Sequence, residues 1–236
     1  MDTREDEQVE YKRQQAAIFE KLAEVGHALS NANRLRMISL LSHGQKTIDE
    51  LAQLTGQSLA SASAHMKQLR ASHLIVAEKR GRSVHCRLAT AEVARVWLLF
   101  RDLGVALIPE VREVMRDTFD GGDGVSSLTV LDLHAKLEQA KSGRAGVVLL
   151  DLRPEPEFAE GHLPSARSVP FDRLAEVMET LPRQEPLLVY CRGPFCAAAF
   201  EGNARLREQE FQAERLRFSV PEWRAAGLPV EGVKAT

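Results

Sequence analysis

The chain has 236 residues, 44% of them hydrophobic and 27% charged, with a formal net charge of -2. That length exceeds what one compact core usually organises, so two domains are expected, and the composition is that of an ordinary globular protein rather than a disordered or fibrous one. No run approaches about 18 uncharged apolar residues and the opening "MDTREDEQVE" is acidic and polar, so neither a membrane span nor a signal peptide is expected and the cytoplasm is the expected compartment.

Residues 1–15 read as a polar N-terminal segment. From Ala16 onward Ile18, Leu22, Val25 and Leu29 recur at helical spacing, and Leu35, Ile38 and Leu41 do so again after "SNAN", whose polar residues favour a cap. Gly44 closes this second helix. Thr47 to Glu50 reads as a capping box in front of a stripe of Ile48, Leu51 and Leu54, ended by Gly56. Ser58 caps a fourth helix with a buried face of Ala62, Met66 and Leu69, and the "TGQS" joint makes the pair a helix-turn-helix candidate. "LIVAEK" and "SVHCRL" flank "RGR" as a hairpin. Val93, Val96, Phe100 and Leu103 then return to helical spacing as far as about Ile108, where Pro109 breaks or bends the helix.

The stretch 58–90 carries Lys67, Arg70, Lys79, Arg80, Arg82 and Arg87 against Glu78 alone, a local positive face of the kind a polyanion seeks. "TFDGGDGVSS" concentrates glycine and aspartate and is the expected linker, dividing the chain into domains at 16–117 and 127–236 with 118–126 between them. Beyond it "GVVLLD" and "PLLVYC" are continuous apolar runs, as in strands buried on both faces, and "DRLAEVMETL" and "AAAFEGNARLREQ" are helical between and after them, an alternation that argues for a parallel α/β sheet.

Four ordered segments, "ALSNANRLRMISLL", "TIDELAQLTG", "SLASASAHMKQLRASHLI" and "EKRGRSVHCRLA", resemble the arsenic-repressor family of bacterial winged-helix regulators over roughly Ala16 to Arg116. The resemblance implies a dimer held by the first and last helices, here through Ile18, Leu22 and Val25 with Val93, Val96, Trp97 and Phe100, on palindromic double-stranded DNA. Leu59, Ala60, Ser61, Ser63, Ala64, His65 and Gln68, off the buried stripe, are the candidates for base and backbone contact. Lys67, Arg70 and the wing residues Lys79, Arg80 and Arg82 are the candidate phosphate or minor-groove contacts. Relatives that sense metal use a cysteine pair on the third helix or Asp/His pairs on the last; "TIDELAQL" has no cysteine and the last helix no histidine, so no metal site and no cofactor are expected. Cys86, in the wing, is expected to be buried.

Cys86, Cys191 and Cys196 are too few and too unevenly spaced for a disulfide framework. A cysteine at the carboxyl end of a central parallel strand, followed by a tight loop and a helix, lies where open α/β sheets bind ligands, and loop amides with the positive helix end favour its thiolate. Cys191 in "LLVYCRGPFCAAAF" is so placed. That stretch, with "VVLLDLRPEPEFAEGHLPSARSVP" and "VPEWRAAGLPVEG", resembles the rhodanese (sulfurtransferase) domain family from about Ser127 to Gly232, and the fold class expected is a mainly α winged helix-turn-helix followed by an α/β rhodanese-like domain. The resemblance makes Asp151, Arg153, Gly161 and His162 scaffold residues, Cys191 the acceptor of a sulfane sulfur, and Arg192 a partner for an anionic donor. Cys196 stands where many active members have arginine, and position 197 is alanine, not the phosphate-clamping arginine of related phosphatases. A second thiol there can attack a modified Cys191 and link the two sulfurs. "FSVPEW" replaces the usual paired glycines with Ser219 and Val220.

The expected function is a repressor whose rhodanese domain senses or processes reactive sulfur, with a small sulfur donor or thiol acceptor as partner. Two alternatives stay open: a sulfurtransferase regulated by its DNA-binding domain, and a dithiol sensor of arsenite or another soft metal.

Overall fold

The computed structural model describes residues 3–119, 124–141 and 146–232, so the centre of the expected linker, 120–123, lies outside the described residues. The chain divides into two compact units, Met1–Ala94 and Arg95–Thr236.

In the first unit, α1 (Thr3–Leu29) takes in the polar opening segment as well as the apolar repeat. Side-chain pairs one turn apart, Gln14 with Glu10 at 3.0 Å and Lys21 with Glu24 at 2.7 Å, support an otherwise solvated helix. Asn31 caps α2 (Ala32–Leu41), its Oδ1 accepting from the amides of Asn33 and Arg34. β1 (Lys46–Thr47) leads into α3 (Ile48–Thr55), where the capping box forms as predicted: Thr47 Oγ1 accepts the Glu50 amide and Glu50 Oε2 accepts that of Thr47 at 2.6 Å. Gly56, at φ 67°, closes α3 in the left-handed conformation that glycine tolerates. One stripe position differs. Leu54 is 40% exposed, because the inward positions follow the i, i+3, i+4, i+7 sequence Ile48, Leu51, Ala52 and Thr55.

Ser58 caps α4 (Leu59–Ala71), which buries Ala62, Met66 and Leu69 as predicted. β2 (Ile75–Arg80) and β3 (Ser83–Leu88) pair antiparallel from Ile75–Leu88 to Arg80–Ser83, leaving Gly81 and Arg82 at the tip, and the sheet order is β1-β3-β2. Cys86 is fully buried under this sheet, and burial raises its thiol pKa. The result is a winged helix-turn-helix.

α5 (Ala91–Leu107) is a single helix whose first residues belong to the first unit and whose remainder belongs to the second. α6 (Pro109–Thr118) starts on Pro109, whose missing amide costs nothing at a first helical position. There follow α7 (Val130–Lys141), β4 (Val148–Asp151), α8 (Glu155–Ala159) and β5 (Arg167–Ser168). "DRLAEVMETL", expected as one helix, breaks into two 3₁₀ turns around the single turn of α9 (Leu174–Val177); Pro170 and Pro182 bracket the segment, and only Leu174 of it is fully buried. β6 (Leu187–Tyr190), α10 (Ala197–Glu208), β7 (Ala213–Arg215) and α11 (Val220–Ala225) complete the unit.

The four strands are parallel in the order β5-β4-β6-β7. Alternate residues of the apolar runs serve opposite faces. Leu150, Leu187, Val189 and Cys191 pack with Ala199 and Leu206 of α10, whereas Leu149, Leu188 and Tyr190 pack with Leu133 of α7 and Trp223 of α11. β4 pairs outward with β5 and β6 outward with β7, so the strand order reverses between β4 and β6 and opens a crevice at their carboxyl ends. Cys191 is the first residue beyond β6.

Candidate functional site

In the first unit, α4 presents Leu59, Ala60, Ser63, Ala64, Lys67, Gln68 and Arg70 on its exposed side, with Ser61 and His65 half-buried. Ser61 turns back on the joint, its hydroxyl donating to Gln57 Oε1 at 2.7 Å. Gln68 Oε1 accepts from Arg34 Nη1 at 2.6 Å, so its carbonyl end is committed to the scaffold although the residue is exposed. Arg34 is buried and also donates to the carbonyls of Ala28 and His27, tying the end of α1 and the face of α4 to α2. The sequence reading missed it. Its one signal is an arginine inside the first turn of a short apolar helix, which only a cluster of carbonyl acceptors makes tolerable.

On the wing Lys79, Arg80 and Arg82 are exposed. Arg80 pairs with Glu78 at 2.7 Å, a solvated contact that holds the guanidinium weakly. Each helix expected at a subunit interface exposes large apolar residues: Ile18 and Leu22 on α1, Val96 and Phe100 on α5. Val25, Val93 and Trp97 are half-buried.

In the second unit the loop from Cys191 to Cys196 joins β6 to α10. Cys191 is 3% exposed and Cys196, at the N-cap of α10, is half-buried. Both side chains pack in one hydrophobic cluster with Val189, Ala199 and Leu206. The Arg192 charge acts on both thiols, lowering the pKa of each. The neighbouring Cys191 thiol lowers the Cys196 pKa most, backbone amides and the Arg192 charge add to it, and against burial the value falls to about 6. Cys191 moves the other way, raised well above a normal thiol by the Cys196 beside it and by burial. Cys196 is the more acidic of the two.

Arg192 is engaged. Its Nε and Nη2 grip the buried Glu157 carboxylate of α8 at 2.6 to 3.1 Å, a charge-assisted contact that fixes the guanidinium beside the loop. Behind the loop Asp151 and Arg153 form a fully buried pair at 2.6 Å, and Arg153 also donates to the Gly161 carbonyl. Burial opposes the Arg153 charge, but the Asp151 carboxylate outweighs it and keeps the guanidinium protonated. His162 stacks on Phe158 at 3.6 Å and its Nδ1 contacts that residue's carbonyl. Of these four, Asp151 also acts on the sulfur site, its charge adding, after Cys196 and burial, to what raises the Cys191 pKa.

Ser219, the departure from paired glycines, is buried, and its hydroxyl donates to the Cys191 carbonyl. Its amide is held by Glu222 Oε2 at 2.9 Å, while Glu222 Oε1 receives Arg101 Nη1 of α5 at 2.5 Å. Sequence reasoning missed both: the capping-box spacing from Ser219 to Glu222 was the available signal, and only the fold brings Arg101 to it. Among the described residues no group of three or more His, Cys, Asp or Glu side chains is arranged to hold a metal ion, and no helix is long and apolar enough to cross a membrane.

Comparison with known proteins agrees with this architecture. Residues 31–76 match the model of the arsR family of bacterial regulatory proteins and residues 132–226 that of the rhodanese-like domain. The chain is 31% identical over 216 residues, 92% of either chain, to the HTH-type transcriptional regulator Rv0324 of Mycobacterium tuberculosis. It is 28% identical over 95 residues, 40% of this chain and 87% of the other, to a sulfurtransferase of Allochromatium vinosum. A solved homodimeric winged helix-turn-helix DNA-binding domain, Mb0332 of Mycobacterium bovis, is 31% identical with a TM-score of 0.39 and covers 41% of this chain and 89% of its own. With a capped helix-turn-helix and wing in one unit and a four-stranded parallel sheet in the other, the chain belongs to the arsR family of bacterial DNA-binding regulatory proteins, in a form that carries a rhodanese-like domain.

Proposed function

We propose that this protein is a dimeric repressor of a palindromic operator and that its Cys191–Cys196 loop reports reactive sulfur. The observation that carries the reading is the pair of cysteines at the two ends of the β6–α10 loop, packed in one cluster at the carboxyl end of β6, with Cys196 the more exposed and the more acidic. A low-molecular-weight persulfide, RSSH, supplies the sulfur. The Cys196 thiolate attacks its outer sulfur, forming Cys196–S–SH and releasing RS⁻. Cys191 then attacks the inner sulfur of that group and expels HS⁻, which leaves as H₂S with the Cys191 proton. In balance, RSSH and two protein thiols become RSH, H₂S and a Cys191–Cys196 disulfide; the persulfide is reduced and the thiols are oxidised. Neither step needs a cofactor.

The exposed apolar residues of α1 and α5 support a dimer, whose two recognition helices would read the two half-sites. Cationic residues on α4 and the wing support the DNA contacts, Lys67, Arg70, Lys79, Arg80 and Arg82 at phosphates and Leu59, Ala60, Ser63, Ala64, His65 and the Gln68 amide nearer the bases. The test uses a duplex selected from a random pool by the reduced full-length protein. Glutathione persulfide should release it from the wild type and not from the Cys191→Ser, Cys196→Ser protein; release from the doubly substituted protein would end the sensor reading.

The similarity to a sulfurtransferase favours a second reading, in which the loop turns sulfur over. Thiosulfate or glutathione persulfide with cyanide as acceptor separates the two, since many turnovers per protein mark an enzyme and a single stable modification marks a sensor.

A further inference from the structure

The pair Arg101–Glu222 stands outside the sulfur chemistry and yet is held more tightly than a surface pair. The two side chains are 11% and 13% exposed, with Nη1 and Oε1 at 2.5 Å. Burial opposes the Arg101 charge, and the facing Glu222 carboxylate, helped by Asp102 at 2.8 Å, more than restores it. Such a pair holds position well but breaks at a cost when one partner moves, since the other charge is left poorly solvated. Both oxygens of Glu222 are in use, one on Arg101 and the other on the Ser219 amide, and the Ser219 hydroxyl ends on the Cys191 carbonyl. The pair also packs on the loop itself: a methyl placed at Gly193 would lie 3.6 Å from Glu222 Oε1 and 3.8 Å from Arg101 Nη1. Gly193, at φ 94°, holds a backbone conformation that L side chains rarely adopt, so the loop passes this pair in one defined shape.

We propose that Arg101 is the positioning residue that joins α5 to the sulfur loop, reading the loop through Glu222, Ser219 and the backbone of Cys191 and Gly193. The inference rests on the reading of the loop as the reactive site and adds how its state leaves that site. Drawing Cys191 and Cys196 together resets the residues between them, Gly193 included, and the Cys191 carbonyl with them. Glu222 cannot follow and keep both partners. α5 is the natural recipient, because it is one uninterrupted helix that begins within the residues of the DNA-binding unit and carries Arg101 three turns later. A bistable contact of this type needs no long pathway, only a difference in how well one ion pair fits two loop shapes.

Coupling is reciprocal, so losing Arg101 must be felt by the sulfurs even when no donor is present. The experiment measures alkylation by iodoacetamide against pH in the reduced full-length protein, with mass spectrometry assigning the site. Arg101→Ala should shift the thiol titration upward by about 0.7 unit, the equivalent of the fivefold lower bound for coupled sites, and Arg101→Lys should return most of it. Glu222→Gln, which keeps an oxygen for Ser219 but removes the charge facing Arg101, should shift it in the same direction; it carries the test should Arg101→Ala not fold. Titrations of both variants superimposing on the wild type would overturn the proposal. An upward shift in the variants, combined with wild-type operator binding indifferent to persulfide, would leave Arg101 as a positioning residue and reject the sensor reading instead.

Discussion

Cys191 and Cys196 stand at the two ends of the loop from β6 to α10 and pack in one hydrophobic cluster, the first 3% exposed and the second half-buried. The neighbouring Cys196 and burial raise the Cys191 pKa well above the ordinary value, so the residue that resembles the nucleophile of a rhodanese is the less acidic of the two. Alkylation of the reduced protein should therefore fall first on Cys196, with a rate that rises through pH 6 and is flat by pH 8, because its pKa lies at about 6. Cys191→Ala removes the largest stabilising contribution and should move that profile toward the ordinary thiol value of 9.0. A wild-type profile with its midpoint near 9, or label found first on Cys191, would contradict the assignment.

Asp151 and Arg153 sit fully buried behind the loop, joined at 2.6 Å. Asp151→Asn keeps the shape and leaves a guanidinium without its counter-charge. The loss should be about 3–5 kcal/mol from the rhodanese-like unit, seen as a lower urea midpoint with unchanged slope. Winged-helix stability should be unaffected, so circular dichroism would show two transitions drawn apart.

Arg34 should matter to DNA binding without touching DNA. Its three bonds, to His27 O, Ala28 O and Gln68 Oε1, fix where α4 stands relative to α1 and α2. Arg34→Ala leaves buried carbonyls unpaired and should cost about 2–3 kcal/mol by chemical denaturation. Arg34→Lys should recover little of it, since one ammonium cannot span acceptors that a planar fork reaches. Affinity for the selected duplex should fall at least tenfold in both variants.

The wing offers a test by salt. If Lys79 and Arg82 meet phosphates, replacing either by alanine should reduce the slope of log affinity against log salt by about 1 while changing the preferred sequence little. Substitution on α4, for instance Ser63→Ala or His65→Ala, should instead alter which bases are preferred in the selected pool. A wing substitution that leaves the slope unchanged would remove that residue from the interface.

Sequence alone determined whatever depends on neighbours within a helical turn or on a strand's own period. A cap within "SNAN", the Ser58 cap, the Thr47–Glu50 box, the Ala62, Met66 and Leu69 stripe, the hairpin around Gly81 and the buried runs of β4 and β6 all rest on such short-range rules, which is why they are where the residues said; which residue of "SNAN" caps, Asn31, came from the structure. Leu54 shows the limit of the rule, for a short helix tells its period but not which near-equivalent position faces inward. Tertiary structure alone decided the electrostatics. Arg192 is bound by a carboxylate 35 residues away, Gln68 by a guanidinium 34 away, and Glu222 by one 121 away. Which thiol is the more acidic is likewise set by the path of the loop, which brings the two side chains into one cluster. Charge and hydrogen bonding act through space at a few ångströms, and no spacing along the chain encodes that distance.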